Sequence, residues 1–118
     1  MNLLNNKNVI EILPQKTPTI CLNMIVKNES KIITRLLDSV ISIIDFYCIC
    51  DTGSTDNTCE IITEYFKNDE MINEKIITGK IIHEPFINFE YNRNFALDSC
   101  LNMSDFILFA DAVRSKRF

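Results

Sequence analysis

Only two glycines occur in this chain, Gly53 and Gly79. That scarcity removes the glycine-rich phosphate cradles, since neither G-x-x-x-x-G-K-[ST] nor G-x-G-x-x-G can be written anywhere in the sequence. An excess of positive charge is also missing. The net charge of -4 argues against a general nucleic-acid binder, whose surface is normally basic. The exception is a short basic run, Arg114, Lys116 and Arg117. No apolar run approaches the roughly 20 residues needed to cross a bilayer. The first residues carry neither the positive cluster nor the long apolar stretch of a signal peptide. Cysteines fall at 21, 48, 50, 59 and 100 and form no C-x-x-C pair of the kind zinc sites use. Unpaired thiols suit a reducing compartment, so a cytoplasmic location is expected. Cys48 and Cys50 alternate on one strand face and read as small core residues.

What is present is enough apolar material for one packed domain: 47% hydrophobic residues in 118. Residues 1–18 read as a loose, Asn-rich leader. Thr19–Val26 reads as a strand, largely apolar on both faces as central parallel strands are. From Ser30, apolar residues recur at Ile32, Ile33, Leu36, Leu37, Val40 and Ile41, which is helical spacing. A second strand spans Phe46–Cys50. A second helix runs from about Asp56 to Phe66, and a polar connection covers residues 67–75. The third strand lies near Ile76–His83, broken or turned by Gly79. After an irregular stretch around Pro85, a third helix covers Tyr91–Leu101 and a fourth strand Phe106–Ala110. Such βα alternation predicts a parallel sheet covered by helices.

Three polar clusters then follow strand ends: Lys27-Asn28-Glu29, Asp51 to Ser54, and Asp111. In a parallel sheet they share one edge, the edge where open α/β folds bind ligands. The run Asp51-Thr-Gly-Ser-Thr-Asp-Asn-Thr58 is the most telling. Gly53 permits a turn with φ > 0, and Ser54, Thr55 or Asp56 can cap the next helix. Turn-building and capping are the plain alternatives to ligand contact for Asp51 and Glu29. Arg93 has a structural ion-pair reading beside a binding one. His83, the lone histidine, reads as a surface or packing residue, and Asp105 as a solvated one. A phospho-acceptor role for Asp51 is disfavoured, because no acidic pair follows the first strand.

Four stretches in order, CLNMIVKNES (21–30), CDTGSTDNT (50–58), NFEYNRNFALD (88–98) and DFILFADA (105–112), resemble the family 2 glycosyltransferases. The resemblance covers roughly residues 19–112. It implies an incomplete GT-A fold, a Rossmann-like α/β/α sandwich around a short, mostly parallel sheet. It also implies a nucleotide-diphosphate-sugar donor, most simply a UDP-sugar, and an inverting transfer to an unknown acceptor. Asn28 and Glu29 would then line the nucleotide pocket, and Asp51 would bind base or ribose. Gly53 and Ser54 would shape the same wall, while Arg93 and Asn94 would brace the donor site, Arg93 by forking onto a carboxylate such as Asp111. Asp111 would also hold Mn²⁺ or Mg²⁺.

The family motif at the fourth strand is Asp-x-Asp, and here it reads Asp111-Ala112-Val113. Valine supplies no side-chain oxygen to a hard cation. Residues 113–118 are a divergent basic tail. The acceptor half and catalytic base, which in the family lie downstream, are not in this sequence. Truncation is therefore expected, with impaired transfer, self-association or a complementary chain. The alternative is a non-catalytic nucleotide-binding remnant or a partner-binding α/β domain.

Overall fold

A computed structural model of the chain describes residues 17–68 and 76–111. Outside the described residues lie the expected leader up to residue 16, most of the 67–75 connection, and the tail from 113 with its valine. Four strands, β1 (Ile20–Val26), β2 (Phe46–Asp51), β3 (Thr78–His83) and β4 (Phe106–Asp111), alternate with three helices, α1 (Ile33–Val40), α2 (Thr58–Asn68) and α3 (Phe89–Ser99). The sheet order is β3-β2-β1-β4, and every neighbouring pair is parallel. The chain steps outward from β1 to β3, then returns to place β4 on the other side of β1. That reversal creates a switch point between β1 and β4, where a crevice opens beyond the strand ends.

Strand alternation sorts the core into two faces. Leu22, Met24, Val26 and Ile49 turn to the side of α1 and α2, where Ile33, Leu37, Ile62 and Phe66 join them in one buried cluster. Cys21 and Cys48 turn the other way and pack with Cys100, just past α3. Burial raises these thiols; for Cys21, burial and then the nearby Cys100 and Cys48 push it up to about 12. All five cysteines are free. Asn23, central in β1, is fully buried on the thiol side. Its Nδ2 donates to the carbonyls of Cys48 (3.0 Å) and Ala96 (3.1 Å), tying β1 to β2 and α3.

Three local expectations need correction. Gly79 neither breaks nor turns β3; it sits inside the strand, opposite Tyr47. A Cβ there would lie 2.0 Å from the Tyr47 carbonyl oxygen and 2.5 Å from its ring, so glycine answers a close approach. Tyr47 in turn stacks on Phe66, with centroids 3.9 Å apart. Secondly, α1 starts at Ile33, because residues 30–32 form a turn whose first bonds go from the Ile32 and Ile33 N–H groups to the Glu29 carbonyl at 3.0 and 2.9 Å. Asp105, lastly, is exposed but engaged: its Oδ2 accepts from the Thr19 N–H at 2.9 Å and from the Thr19 hydroxyl at 3.1 Å. This clamp sets the start of β4 against β1. No described helix is long and apolar enough to cross a membrane.

Candidate functional site

Two turns at the C-terminal sheet edge are sewn together. Asn28 has φ of 53°, a left-handed conformation that asparagine tolerates better than most residues. Its side-chain oxygen accepts from the Thr55 N–H at 2.7 Å and the Asp56 N–H at 3.2 Å. Its own N–H donates to the Ser54 hydroxyl at 2.8 Å. The Glu29 N–H donates to Thr58 Oγ1 at 2.8 Å, and the Ser30 N–H to Asp56 Oδ2 at 3.3 Å. Asp56 also accepts from the Thr58 N–H at 3.0 Å, supporting the first turn of α2 as expected. The K-N-E-S and D-T-G-S-T-D-N-T stretches are thus one hydrogen-bonded unit.

Beside this unit a cleft of ≈ 350 Å³ opens at the switch point, lined by Ile25, Lys27, Glu29, Thr52, Phe86, Phe89 and Asp111 among others. Glu29 and Asp111 line it together. Asn28, Gly53 and Ser54 are not among its lining residues and belong to the neighbouring hydrogen-bonded turns. Thr52 is anchored by its N–H and hydroxyl to the Val26 carbonyl, at 3.0 and 3.3 Å. Phe86 and Phe89 are more than half exposed, at 55% and 53%, so the cleft offers bare aromatic surface.

Arg93 and Asn94 lie on exposed positions of α3. The Arg93 guanidinium stands 4.7 Å from the Phe109 ring centroid and 5.9 Å from that of Phe89, a cation–π arrangement. The bracing residue of this helix is Asn92, which sequence reasoning missed. Fully buried, it accepts from the Ile87 N–H at 2.8 Å and donates to the Pro85 carbonyl at 3.1 Å, fixing the loop that carries Phe86. Its position four residues before Ala96, the other buried residue of the helix, puts both on one face and is the signal that could have found it.

Asp51 is placed differently from Asp111. It is 5% exposed, at the end of β2 and on the α2 side of the sheet. Its Oδ2 accepts from the N–H groups of Gly53 and Ser54, both at 3.1 Å. Burial raises the Asp51 carboxyl, but the hydrogen bonds from Ser54, Gly53 and Cys59 together bring it below its ordinary value. His83, its partner in the β2–β3 register, places Nδ1 3.6 Å from Asp51 Oδ2. Cys59, in the first turn of α2, completes a group whose ligand atoms lie within 4.8 Å of one another. Burial and then the Asp51 charge push Cys59 up to about 11. Distance along the chain hid this convergence of residues 51, 59 and 83.

Comparison with known proteins agrees with this architecture. Residues 21–112 match the family described as glycosyl transferase family 2. Proteins of Rickettsia felis, Rickettsia prowazekii and Rickettsia typhi, each described as an uncharacterised glycosyltransferase, are 32% identical to this chain over 89 residues. The aligned region is 75% of this chain and 26% of each relative, so the chain spans about a quarter of their length. The parallel sheet with helices on both faces is a partial GT-A, Rossmann-like fold, and three of the four ordered motifs run to the C-terminal ends of its strands. On the match over residues 21–112, this chain belongs to glycosyl transferase family 2.

Proposed function

We propose that residues 19–112 bind the nucleotide-sugar donor of a glycosyltransferase that moves a sugar from a nucleoside diphosphate to an acceptor. The observation that carries this reading is the cleft at the switch point, where Lys27, Glu29, Thr52 and Asp111 converge from three strand ends. Lys27 supplies the positive charge a diphosphate needs. Phe86 and Phe89 offer faces on which a base or sugar ring can stack. Asn28, Gly53 and Ser54 hold the wall in place. Asp51 acts at the base or ribose end, and Arg93 and Asn94 support the loop side. A uridine diphosphate sugar is the donor first to be tested.

Family 2 enzymes often use a divalent cation. Asp111 lines the cleft and offers one carboxylate at the motif position, while residue 113 is valine. A pair of motif carboxylates for Mn²⁺ or Mg²⁺ is therefore missing, and donor binding is expected to depend on the cation weakly. The chemistry of transfer needs a base to take the acceptor proton, and that base is assigned to no described residue. Five free thiols support a cytoplasmic setting. Exposed Phe106 and Ile107 on β4 offer a surface for self-association or for a complementary chain.

Isothermal titration of the full chain with uridine diphosphate tests the reading. Saturable binding is expected, weakened about tenfold or more by Lys27→Ala, the usual loss for a charge-assisted contact. Asp51→Ala is expected to weaken binding as well by loosening the turn behind Thr52. A folded chain that binds no nucleoside diphosphate would overturn the donor site. Binding without any transfer, hydrolysis or added-chain rescue would favour the non-catalytic remnant instead.

A further inference from the structure

The convergence of Asp51, Cys59 and His83 lies outside the lining of the donor cleft, which opens at the β1–β4 switch point; of the three, only Asp51 also serves the donor reading, through the turn behind Thr52. An oxygen, a sulfur and a nitrogen ligand meet there, and all lie within 4.8 Å of one another. Tetrahedral zinc with bonds of about 2.0–2.3 Å separates its ligands by about 3.3–3.6 Å. Asp51 Oδ2 and His83 Nδ1 already stand 3.6 Å apart. Small side-chain rotations would close the remaining gap, and His83 has room for them with its side chain 67% exposed. The carboxylate is the fixed member, held by the Gly53 and Ser54 N–H groups. Such outer contacts orient ligands in metal sites. A shallow cleft of ≈ 210 Å³ beside Cys59 is lined by Glu60 and Glu64, giving an acidic approach for a cation.

We propose that Asp51, Cys59 and His83 form a site for one thiophilic divalent cation, zinc above all, with its fourth position open to water. On binding, the Cys59 thiol gives its proton to solvent and the thiolate becomes a ligand. The ion would pin the ends of β2 and β3 to the first turn of α2. Mixed sulfur, nitrogen and oxygen ligation selects zinc or cobalt over magnesium and manganese.

Titration of the metal-free full chain with Co²⁺ tests the site. One equivalent is expected to bind with tetrahedral d–d bands and a sulfur-to-metal charge-transfer band, and Zn²⁺ is expected to displace it. Cys59→Ser should abolish the charge-transfer band. His83→Ala, at an exposed position, should lower affinity at least about tenfold and should remove the rise in melting temperature that Zn²⁺ gives the unaltered chain. An octahedral spectrum without a sulfur band, a band that survives Cys59→Ser, or no saturable binding would each overturn the proposal. Uridine diphosphate titration of the same metal-free chain reads the donor cleft separately, so either site can fail alone.

Discussion

On the face under α1 and α2, β1 and β2 present Leu22, Met24 and Ile49, all fully buried in one large aliphatic cluster. On the face under α3, the same two strands present Cys21, Asn23 and Cys48. The first face is held by volume. The second is held by small side chains and by the two bonds from Asn23 to the Cys48 and Ala96 carbonyls. The contrast shows how one short sheet divides its tasks. The aliphatic side supplies most of the hydrophobic stabilisation, which scales with apolar area removed from water. The thiol side lets α3 lie against the strands and fixes its position by hydrogen bonds. Both faces end at one edge, but with different chemistry: Asp51, Cys59 and His83 meet on the α2 side, while Asp111 and the phenylalanines line the cleft.

Adjacent residues of β2 test the contrast most strongly. Ile49→Ala on the aliphatic face should cost about 3–4 kcal/mol, the transfer loss plus the cavity left behind. Cys48→Ala, one residue earlier on the other face, should cost about 1 kcal/mol. Urea unfolding of both variants with matched slopes measures the difference. Equal losses would mean that the two faces share one packing plan.

Much of this arrangement is legible in the sequence. The helical spacing of Ile33 and Leu37 and the largely apolar run of β1 placed the aliphatic face, and the alternation of strand and helix gave the parallel order. The place of Asp111 and Glu29 at the sheet edge was legible because strand ends are where a parallel sheet presents its polar residues. Tertiary contacts are what escaped. Gly79 looked like a breaker because no local pattern reveals that a ring of a neighbouring strand covers it. Asp105 looked solvated because its partner, Thr19, is far away in sequence. His83 looked idle for the same reason, since only the β2–β3 register sets it beside Asp51. Asn28 was expected to line a pocket; its side chain instead bonds the Thr55 and Asp56 N–H groups of the next turn.

Asn23 provides the second test, now of the thiol face alone. Asn23→Leu keeps the size but removes both donors, leaving the Ala96 carbonyl without the amide it accepts from. A loss of about 2 kcal/mol is expected from the unmade bonds. Hydrogen exchange should also show α3 opening more readily than α1 and α2. Uniform loosening of all three helices would show that Asn23 supports the whole core and not one face.

A smaller effect belongs to the turn where the faces meet. Gly53 has φ of +125°, and a Cβ there would touch nothing within 4 Å. Gly53→Ala is therefore penalised by backbone strain and not by collision, about 1–2 kcal/mol. Its N–H holds Asp51, so the variant should weaken Co²⁺ at the proposed cation site more than it weakens uridine diphosphate at the cleft. Equal weakening would merge the two sites into one.

The smallest expected effect is electrostatic and sits on the seam between the two turns. Asp56 is exposed, yet the Thr58 side chain first, with the Thr58 and Ser30 N–H groups, lowers its carboxyl from 3.8 to about 2. A carboxyl depressed by folding favours the fold when ionised, so its contribution is present above the ordinary value of 3.8 and lost as pH falls through about 2. Asp56→Asn keeps an acceptor oxygen but carries no charge. The unaltered chain should therefore melt above this variant at pH 6, and the gap should close as pH falls from about 4 to about 2. Asp51, lowered in the same direction, stays in both chains and leaves a shared acid loss. A gap that does not change with pH would mean that Asp56 joins the two turns by hydrogen bonding alone.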